Sequence, residues 1–443
     1  MNRPLTHDVF FRATDSKHML PRLEELLQKQ LGTEVRIESL DIPRVVPGRK
    51  ALMIQYVMQL HGESLLNNPL TCCGTIPYVG KANKKASAGE DRIGYLRDLN
   101  LTVPLFPFDP AIEILQGLAN KDRAGKIITD CLTRSGIEHS ELCISNIELL
   151  AYRQGKRCVL RYHLSPAQAK LGSSQVSQIV LRAVRQSRLK PILDGITLLQ
   201  EHGFTSHADD QITIPHVFAA DSDEGFYIME SIRGQSLYNL KEDEQFEAGC
   251  RMAGLVLRKL HSISAVSSTV HSAEGELAQL QWKVALVCGL FPDLSSRFEQ
   301  AFHSVQAKQA AKMAGFDQVT IHGDFYDKQV IYAPRRTTLL DLDSLSAGDP
   351  AMDFGNFMAH IELRELQYAR LDADIVDSGR LAFGAAYGEI GSGFEGRATW
   401  WKAVTLLRLA ALYVLRPRWR HLASPLLDQC NVVLKSSTFR CVG

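Results

Sequence analysis

The chain has 443 residues, 45% of them apolar, and its 50 Lys plus Arg against 49 Asp plus Glu leave a net charge of +1. At roughly 150 residues per domain this length predicts about three domains, or two large ones, with packed cores. The balanced charge excludes the basic excess that holds a nucleic-acid backbone by counterion release. The longest apolar stretch, 403–415, is broken by Arg408 and falls short of the ~20 residues that cross a bilayer. The amino terminus lacks a basic segment followed by an apolar core, so the expectation is a soluble, cytoplasmic protein without nucleic-acid or membrane partners. Nine cysteines without a C-x-x-C pair describe neither a disulfide framework nor a zinc site.

In chain order, a faint self-similarity comes first. Gly48-Arg-Lys-Ala-Leu-Met-Ile-Gln-Tyr56 matches Gly155-Lys-Arg-Cys-Val-Leu-Arg-Tyr162, each a basic turn entering an apolar strand that ends in tyrosine. Each is followed by a second short strand with a cation, Tyr78-Val-Gly-Lys81 and Ile179-Val-Leu-Arg182. Duplication and chance remain equal readings of this pattern. Val103-Pro-Leu-Phe-Pro-Phe-Asp-Pro110 is too rich in proline for a helix interior and reads as a linker or packing loop. A helical pattern covers 188–202, and a strand covers 225–229. The rest is mainly helical, with apolar residues at helical spacing in 246–260, 277–290, 400–415 and 426–434. One segment, 319–343, interrupts the helices with strand, polar loop and strand, and it is crowded with carboxylates.

That segment carries Ile321-His-Gly-Asp-Phe-Tyr-Asp-Lys-Gln329, then Leu339-Leu-Asp-Leu-Asp343, then Gly348-Asp-Pro-Ala-Met-Asp353. Phosphoryl transfer needs a carboxylate that orients the attacking hydroxyl and hard oxygen donors that hold magnesium against the phosphates. Asp324 supplies the first, and Gln329 with Asp341 supplies the second. A hairpin over this stretch is expected to set residues 329 and 341 side by side, facing the mouth at residue 324. Any one of these aspartates alone is an ordinary turn residue; their joint spacing is what points to chemistry.

These motifs resemble the signature of the aminoglycoside phosphotransferase and choline kinase superfamily, the small-molecule relatives of protein kinases. The resemblance implies an α+β, protein-kinase-like two-lobed fold with an additional N-terminal α+β module. The expected division is 1–105 for that module, itself a candidate degenerate copy of the small lobe, 106–233 for the small nucleotide-binding lobe and 234–443 for the helical lobe. It further implies ATP and Mg2+ as cofactors, Asp324 as catalytic base, His322 as support of its loop, Gln329 and Asp341 on the metal, and Asp349 with Asp353 holding the helical lobe together. Phe226-Tyr-Ile-Met-Glu230 resembles the hinge, with Met229 and Glu230 ending its strand beside the adenine. Glutamine at 329, where asparagine is commoner, resembles the maltokinases and points toward sugars.

The small lobe departs from the pattern. Arg182 stands where lysine is expected on the phosphates, with Lys81 as the alternative cation, and the helix 189–200 offers only Asp194 where an orienting glutamate belongs. Arg153-Gln-Gly-Lys-Arg157 is read as a solvated hairpin tip rather than a site. The acceptor is expected to be a hydroxyl-bearing small molecule. Glu362, Glu365, Asp372 and Asp374 offer a wall for a polycation but fall on an amphipathic helical pattern, 361–375, whose simpler account is a solvated face. Residues 400–443 hold seven Lys and Arg against Asp428 alone, which favours a neutral or phosphorylated acceptor. Trp400 and Trp401 offer one ring for stacking on a sugar. Two rival functions stand beside the sugar kinase: a nucleotide-binding pseudokinase and an aminoglycoside kinase.

Overall fold

The structure is a computed structural model that describes residues 5–31, 35–61, 69–79, 93–165, 169–240, 243–265, 269–312, 316–367 and 373–435. Two five-stranded antiparallel sheets precede the helical half. The first contains Ile37–Pro47, Ala51–Leu60, Leu70–Pro77, Ile93–Leu96 and Leu101–Pro104, and the second Cys143–Arg153, Arg157–Ser165, Gln178–Val184, Val217–Asp221 and Phe226–Glu230. In both, the spatial order of these five is first, second, third, fifth, fourth. Strict alternation drives the hairpins: in Ala51–Leu60 and in Arg157–Ser165 every second residue is buried.

The likeness extends to single atoms. Tyr56 and Tyr162 are both fully buried, and each hydroxyl donates to a backbone carbonyl of a preceding helical segment, Ala13 O at 2.8 Å and Leu118 O at 2.9 Å. The register also corrects the sequence reading. Tyr56 pairs with Cys72 and Met53 with Thr75, whereas Tyr162 pairs with Ile179 and Val159 with Arg182. Thr75 therefore holds the place that Arg182 holds in the second sheet. The third strand of the first sheet is Leu70–Pro77 rather than 78–81, and Lys81 lies outside the described residues.

The proline-rich connection begins as a strand, Leu101–Pro104, and then turns through a cis Phe106-Pro107 bond to Asp109. The Asp109 carboxylate is buried and accepts from Gly155 N at 2.6 Å, Tyr152 OH at 3.1 Å and Ala111 N at 3.0 Å. Gly155 sits at φ +65°, which suits a residue without Cβ. A distant carboxylate thus holds the tip of the second hairpin.

The first sheet shares one continuous core with the helical half, while the second sheet packs its own. Phe10 and Phe11 meet Phe291 with ring centroids 5.6 Å apart. On its other side the first sheet touches the second hairpin, where Thr75 Oγ1 donates to Gln154 Oε1 at 3.3 Å. The helical half is built from Asp243–His261, Ala273–Leu290, Ser295–Lys312, Pro350–Gln367, Ala373–Tyr387, Ser392–Tyr413 and Ala423–Lys435. The expected continuous helix over 361–375 is instead the end of one helix and the start of another, with 368–372 outside the described residues. No helix among the described residues is long and apolar enough to cross a membrane.

Replacing Asp109 with alanine strands buried donors on Tyr152 and Gly155, so the Asp109→Ala variant is expected to lose about 2 kcal/mol of stability in urea titration. A loss indistinguishable from zero would show that the hairpin tip does not depend on this carboxylate.

Candidate active site

The segment 321–329 is held by hydrogen bonds from its backbone to side chains elsewhere in the helical half. His322 and Gly323 donate their backbone N–H groups to Asp353 at 2.6 and 2.9 Å, and His261 Nε2 lies 3.3 Å from the same carboxylate. Burial alone would raise the Asp353 pKa; the hydrogen bond and charge of His261, with His322, outweigh it and hold the group below the usual carboxylate range. Gly323 adopts φ +78°, and a Cβ there would meet Ser344 O at 2.6 Å. The chain can therefore pass this close to the following loop only with glycine.

His322 is fully buried. Its Nε2 lies 2.8 Å from Leu340 O, and its Nδ1 accepts from Asp324 N at 3.3 Å, which defines the tautomer with the proton on Nε2. One ring thereby ties the loop bearing Asp324 to the strand that leads to Asp341. Asn356 donates to Phe325 O at 2.7 Å, and Arg364 lies 3.2 Å from Asp327. Burial pushes the Asp327 carboxyl up to about 6, against the opposing charges of Arg364 and Lys328. Asp324 itself is half-buried, and among the described residues its carboxylate has no hydrogen-bond or ion-pair partner.

Strands Val330–Ala333 and Arg336–Leu339 form the expected hairpin, with Leu340 N donating to Gln329 O at 2.8 Å. Gln329 Nε2 lies 3.3 Å from Asp341 Oδ2. Asp341 has φ +59°, a left-handed conformation that is costly for a residue with a side chain and that clusters at functional sites.

Two guanidiniums close on this place from the second sheet. Arg182 is 3.0 Å from Asp341 and also pairs with Asp343; Arg157 is 3.1 Å from Asp343 and also pairs with Asp341. Burial would raise the Asp341 pKa, but Arg182 and Arg157 hold it well below the ordinary carboxylate range. Arg157 is thus no solvated hairpin tip. The signal was the two-residue period of its strand, which puts Arg157 on the face of Val159, opposite Arg182. Asp194 does not orient Arg182: it is exposed and pairs with Lys190 at 2.8 Å. Asp343, which the motif spacing left without a role, completes the cluster.

Two cavities flank the cluster. One of about 190 Å³ is an apolar slot between Val159, Val217, Met229, Tyr227, Leu340 and Leu342, with Gln329 and Asp341 at its end. Met229 is among its lining residues. Glu230 turns away, pairing with Arg336 at 3.0 Å and accepting from His216 N at 2.8 Å. The other, about 370 Å³, lies between Arg153, Lys156, Arg185 and Arg188 on one side and Asp324, Asp341 and Asp343 on the other.

Two expectations about the helical lobe change. Glu362 is buried and pairs with Lys402 and, at 3.2 Å, with Arg380, so it is not part of a solvated face. Asp372 lies outside the described residues. Neither Trp400 nor Trp401 is available to stack on a ligand. Both are buried, Trp400 donating to Val305 O at 2.9 Å and Trp401 to Asp349 at 3.0 Å, where Arg397 also binds.

Residues 175–398 match the model of the phosphotransferase enzyme family, and the chain belongs to that family. Its fold is α+β, with the antiparallel sheets and helices described above. Among solved structures it is similar to a choline/ethanolamine kinase family protein from Mesorhizobium loti, at 16% identity over 66% of this chain and 89% of that one, with a TM-score of 0.45. The macrolide 2'-phosphotransferase of Brachybacterium faecium aligns at 17% identity over 71% and 99%, TM-score 0.42. A thermostable aminoglycoside phosphotransferase mutant in ternary complex with ADP and hygromycin B aligns at 12% identity over 70% and 97%, TM-score 0.48. Comparison with curated proteins gives no significant match.

In the helical half, Glu276 lies 3.4 Å from His271 and 3.9 Å from Arg408. Burial opposes its charge, yet His271, Arg408 and Lys283 bring its carboxyl down to about 2 from 4.5. Its stabilising contribution is therefore complete above about pH 4.5 and is lost as the pH falls toward about 2. Melting curves of wild type and Glu276→Gln should differ in this acid window, with the variant showing the shallower decline. Parallel curves would show that Glu276 is not charge-stabilised.

Proposed function

We propose that the protein transfers the γ-phosphoryl group of ATP to a hydroxyl of a small molecule, and that this acceptor is a sugar or a sugar-containing metabolite. The observation that carries the proposal is the unpartnered Asp324 carboxylate lining the 370 Å³ cavity in front of Asp341 and Asp343. In this reading Asp324 accepts the proton of the attacking hydroxyl, and His322 positions it through the backbone. The apolar slot ending at Met229 takes the base of the nucleotide. Arg182, assisted by Arg157, faces the phosphates. Residues 106–233 form the small lobe, 234–443 the helical lobe, and 1–105 a module derived from a copy of the small lobe that has lost the cation at Thr75.

Magnesium suits the donor set. Gln329, Asp341 and Asp343 offer hard oxygens, and Asp343 Oδ1 is buried without a hydrogen-bond partner. Bound there, the ion would neutralise charge on the transferring phosphates. Arg157 and Arg182 now neutralise the same carboxylates, so nucleotide binding requires these guanidiniums to exchange carboxylate for phosphate oxygens.

That exchange also supports a second reading, a module that binds nucleotide without transferring it. Arg182 has no carboxylate from helix Gln186–Glu201 to hold it apart from Asp341. An aminoglycoside kinase is the less favoured reading, because Glu362, a charge that a polycation would seek, is already paired.

ADP release measured over sugars, amino alcohols and aminoglycosides separates these readings. Acceptor-dependent turnover is expected, reduced at least ~100-fold in Asp324→Asn and in Asp341→Ala. Turnover no greater than that of Asp341→Ala, together with a melting temperature still raised by ATP and magnesium, would replace the kinase by a binding module.

A further inference from the structure

Around Tyr326, two residues after Asp324, the structure gathers basic side chains from three distant parts of the chain. Arg44 comes from strand Ile37–Pro47 of the first sheet, Arg153 from the end of strand Cys143–Arg153, and Arg416 from the turn after helix Ser392–Tyr413. Each is half-buried. The elements carrying them are in contact: strand Ile37–Pro47 packs on helix Ser392–Tyr413 and on the turn Pro417–Leu422, and Arg44 and Arg153 line one small cavity together. Arg153 also lines the large cavity with Asp324, while Arg44 and Arg416 line neither that cavity nor the apolar slot.

Among the described residues none of the three has a carboxylate within ion-pair distance, and the Nε atoms of Arg153 and Arg416 are buried without a hydrogen-bond partner. They repel one another: Arg44 is lowered by burial and by Arg416, Arg153 by burial and by Arg157 and Arg44, and Arg416 by burial despite neighbouring Tyr413 and Tyr326. Half-buried like charges with orphaned donors are costly unless an anion joins them. Elsewhere in this molecule buried guanidiniums are matched, as Arg397 is by Asp349 and Arg364 by Asp327. Arg44 and Arg416 both act on Tyr326, two residues after Asp324, and Tyr326 stacks on His360 with centroids 4.4 Å apart.

We infer that the acceptor already carries a phosphate monoester, held by Arg44, Arg153 and Arg416 while its free hydroxyl lies at Asp324. This inference rests on the kinase reading above and names the substrate class for it. Planar guanidinium forks match phosphate oxygens pairwise, and three of them more than offset the charge of a dianion. In the reaction the acceptor oxygen forms a bond to the γ-phosphorus, the bond from that phosphorus to the β-bridging oxygen breaks, the hydroxyl proton passes to Asp324, and ADP leaves. The product is a bisphosphorylated molecule. The N-terminal module has a direct part in this, because Arg44 belongs to it.

The test compares glucose 6-phosphate, glucose and gluconate as acceptors for wild type, Arg44→Gln and Arg416→Gln, with melting temperatures to confirm folding. Phosphorylated acceptor is expected to be used at least ~10-fold more efficiently than its neutral parent. Each variant should raise KM for the phosphorylated acceptor at least ~10-fold, with KM for ATP unchanged. Glucose turned over as well as its phosphate, gluconate preferred to both, or variants that affect all acceptors alike would overturn the phosphate site while leaving the kinase reading standing. If no acceptor is turned over, the kinase reading fails, and calorimetric titration of glucose 6-phosphate into nucleotide-free protein decides the site by itself. Binding that is lost in Arg44→Gln upholds it, and no binding to wild type overturns it.

Discussion

Two aspartates from the helical half and two arginines from the second sheet meet in one cluster, and the arrangement of everything around it follows from bringing those four groups together. Asp341 and Asp343 lie just after strand Arg336–Leu339, and Arg157 and Arg182 lie on adjacent strands more than 150 positions earlier in the chain. Desolvating four charges is expensive, and such a set is stable only when each charge is matched and its partners are rigid. The rigidity comes from both sides. The β-ladder places Arg182 opposite Val159 and Arg157 opposite Val184, while the left-handed backbone at Asp341 turns its carboxylate toward the sheet. The cluster is thus the bridge between two structural halves.

Stability and chemistry are divided among neighbouring residues of one loop. Asp353, Asn356 and His322 hold the loop by its backbone, and Arg364 meets Asp327; each side chain is spent on that task. Asp324, in the middle of them, is held only through its N–H, so its carboxylate stays free. Fixing the backbone and leaving one carboxylate unpaired are thus assigned to different residues of this loop. The first sheet adds a third wall. Its core is continuous with the helical half while its central strand touches the second hairpin, and its Arg44 shares a small cavity with Arg153.

The motif from Ile321 to Asp353 was legible in the sequence because its parts lie within about thirty residues and interact through local turns and one hairpin, so spacing alone specifies which groups meet. The same holds for the two hairpins with their tyrosines, whose alternation dictates which face is buried. Other readings failed for a common reason. Glu362, Trp400 and Trp401 have polar and amphipathic positions in the sequence, but each is satisfied by a partner from another helix or loop. Arg157 was lost in a charge run whose neighbours Lys156 and Arg153 have different surroundings.

By itself, then, the sequence determined the family, the kinase-like segment and the alternation of the strands, since these depend on residue type and short spacing. Only the tertiary structure decided that Arg157 joins Arg182 on the aspartates, that Thr75 stands in the first sheet where Arg182 stands in the second, and that Arg44 and Arg416 come together near Tyr326 with Arg153 close by. The physical reason is that a charge has no pattern of its own along a chain. Whether it is solvated, paired or left waiting for a ligand depends on which distant groups packing brings within a few ångströms, and that is a property of the folded molecule.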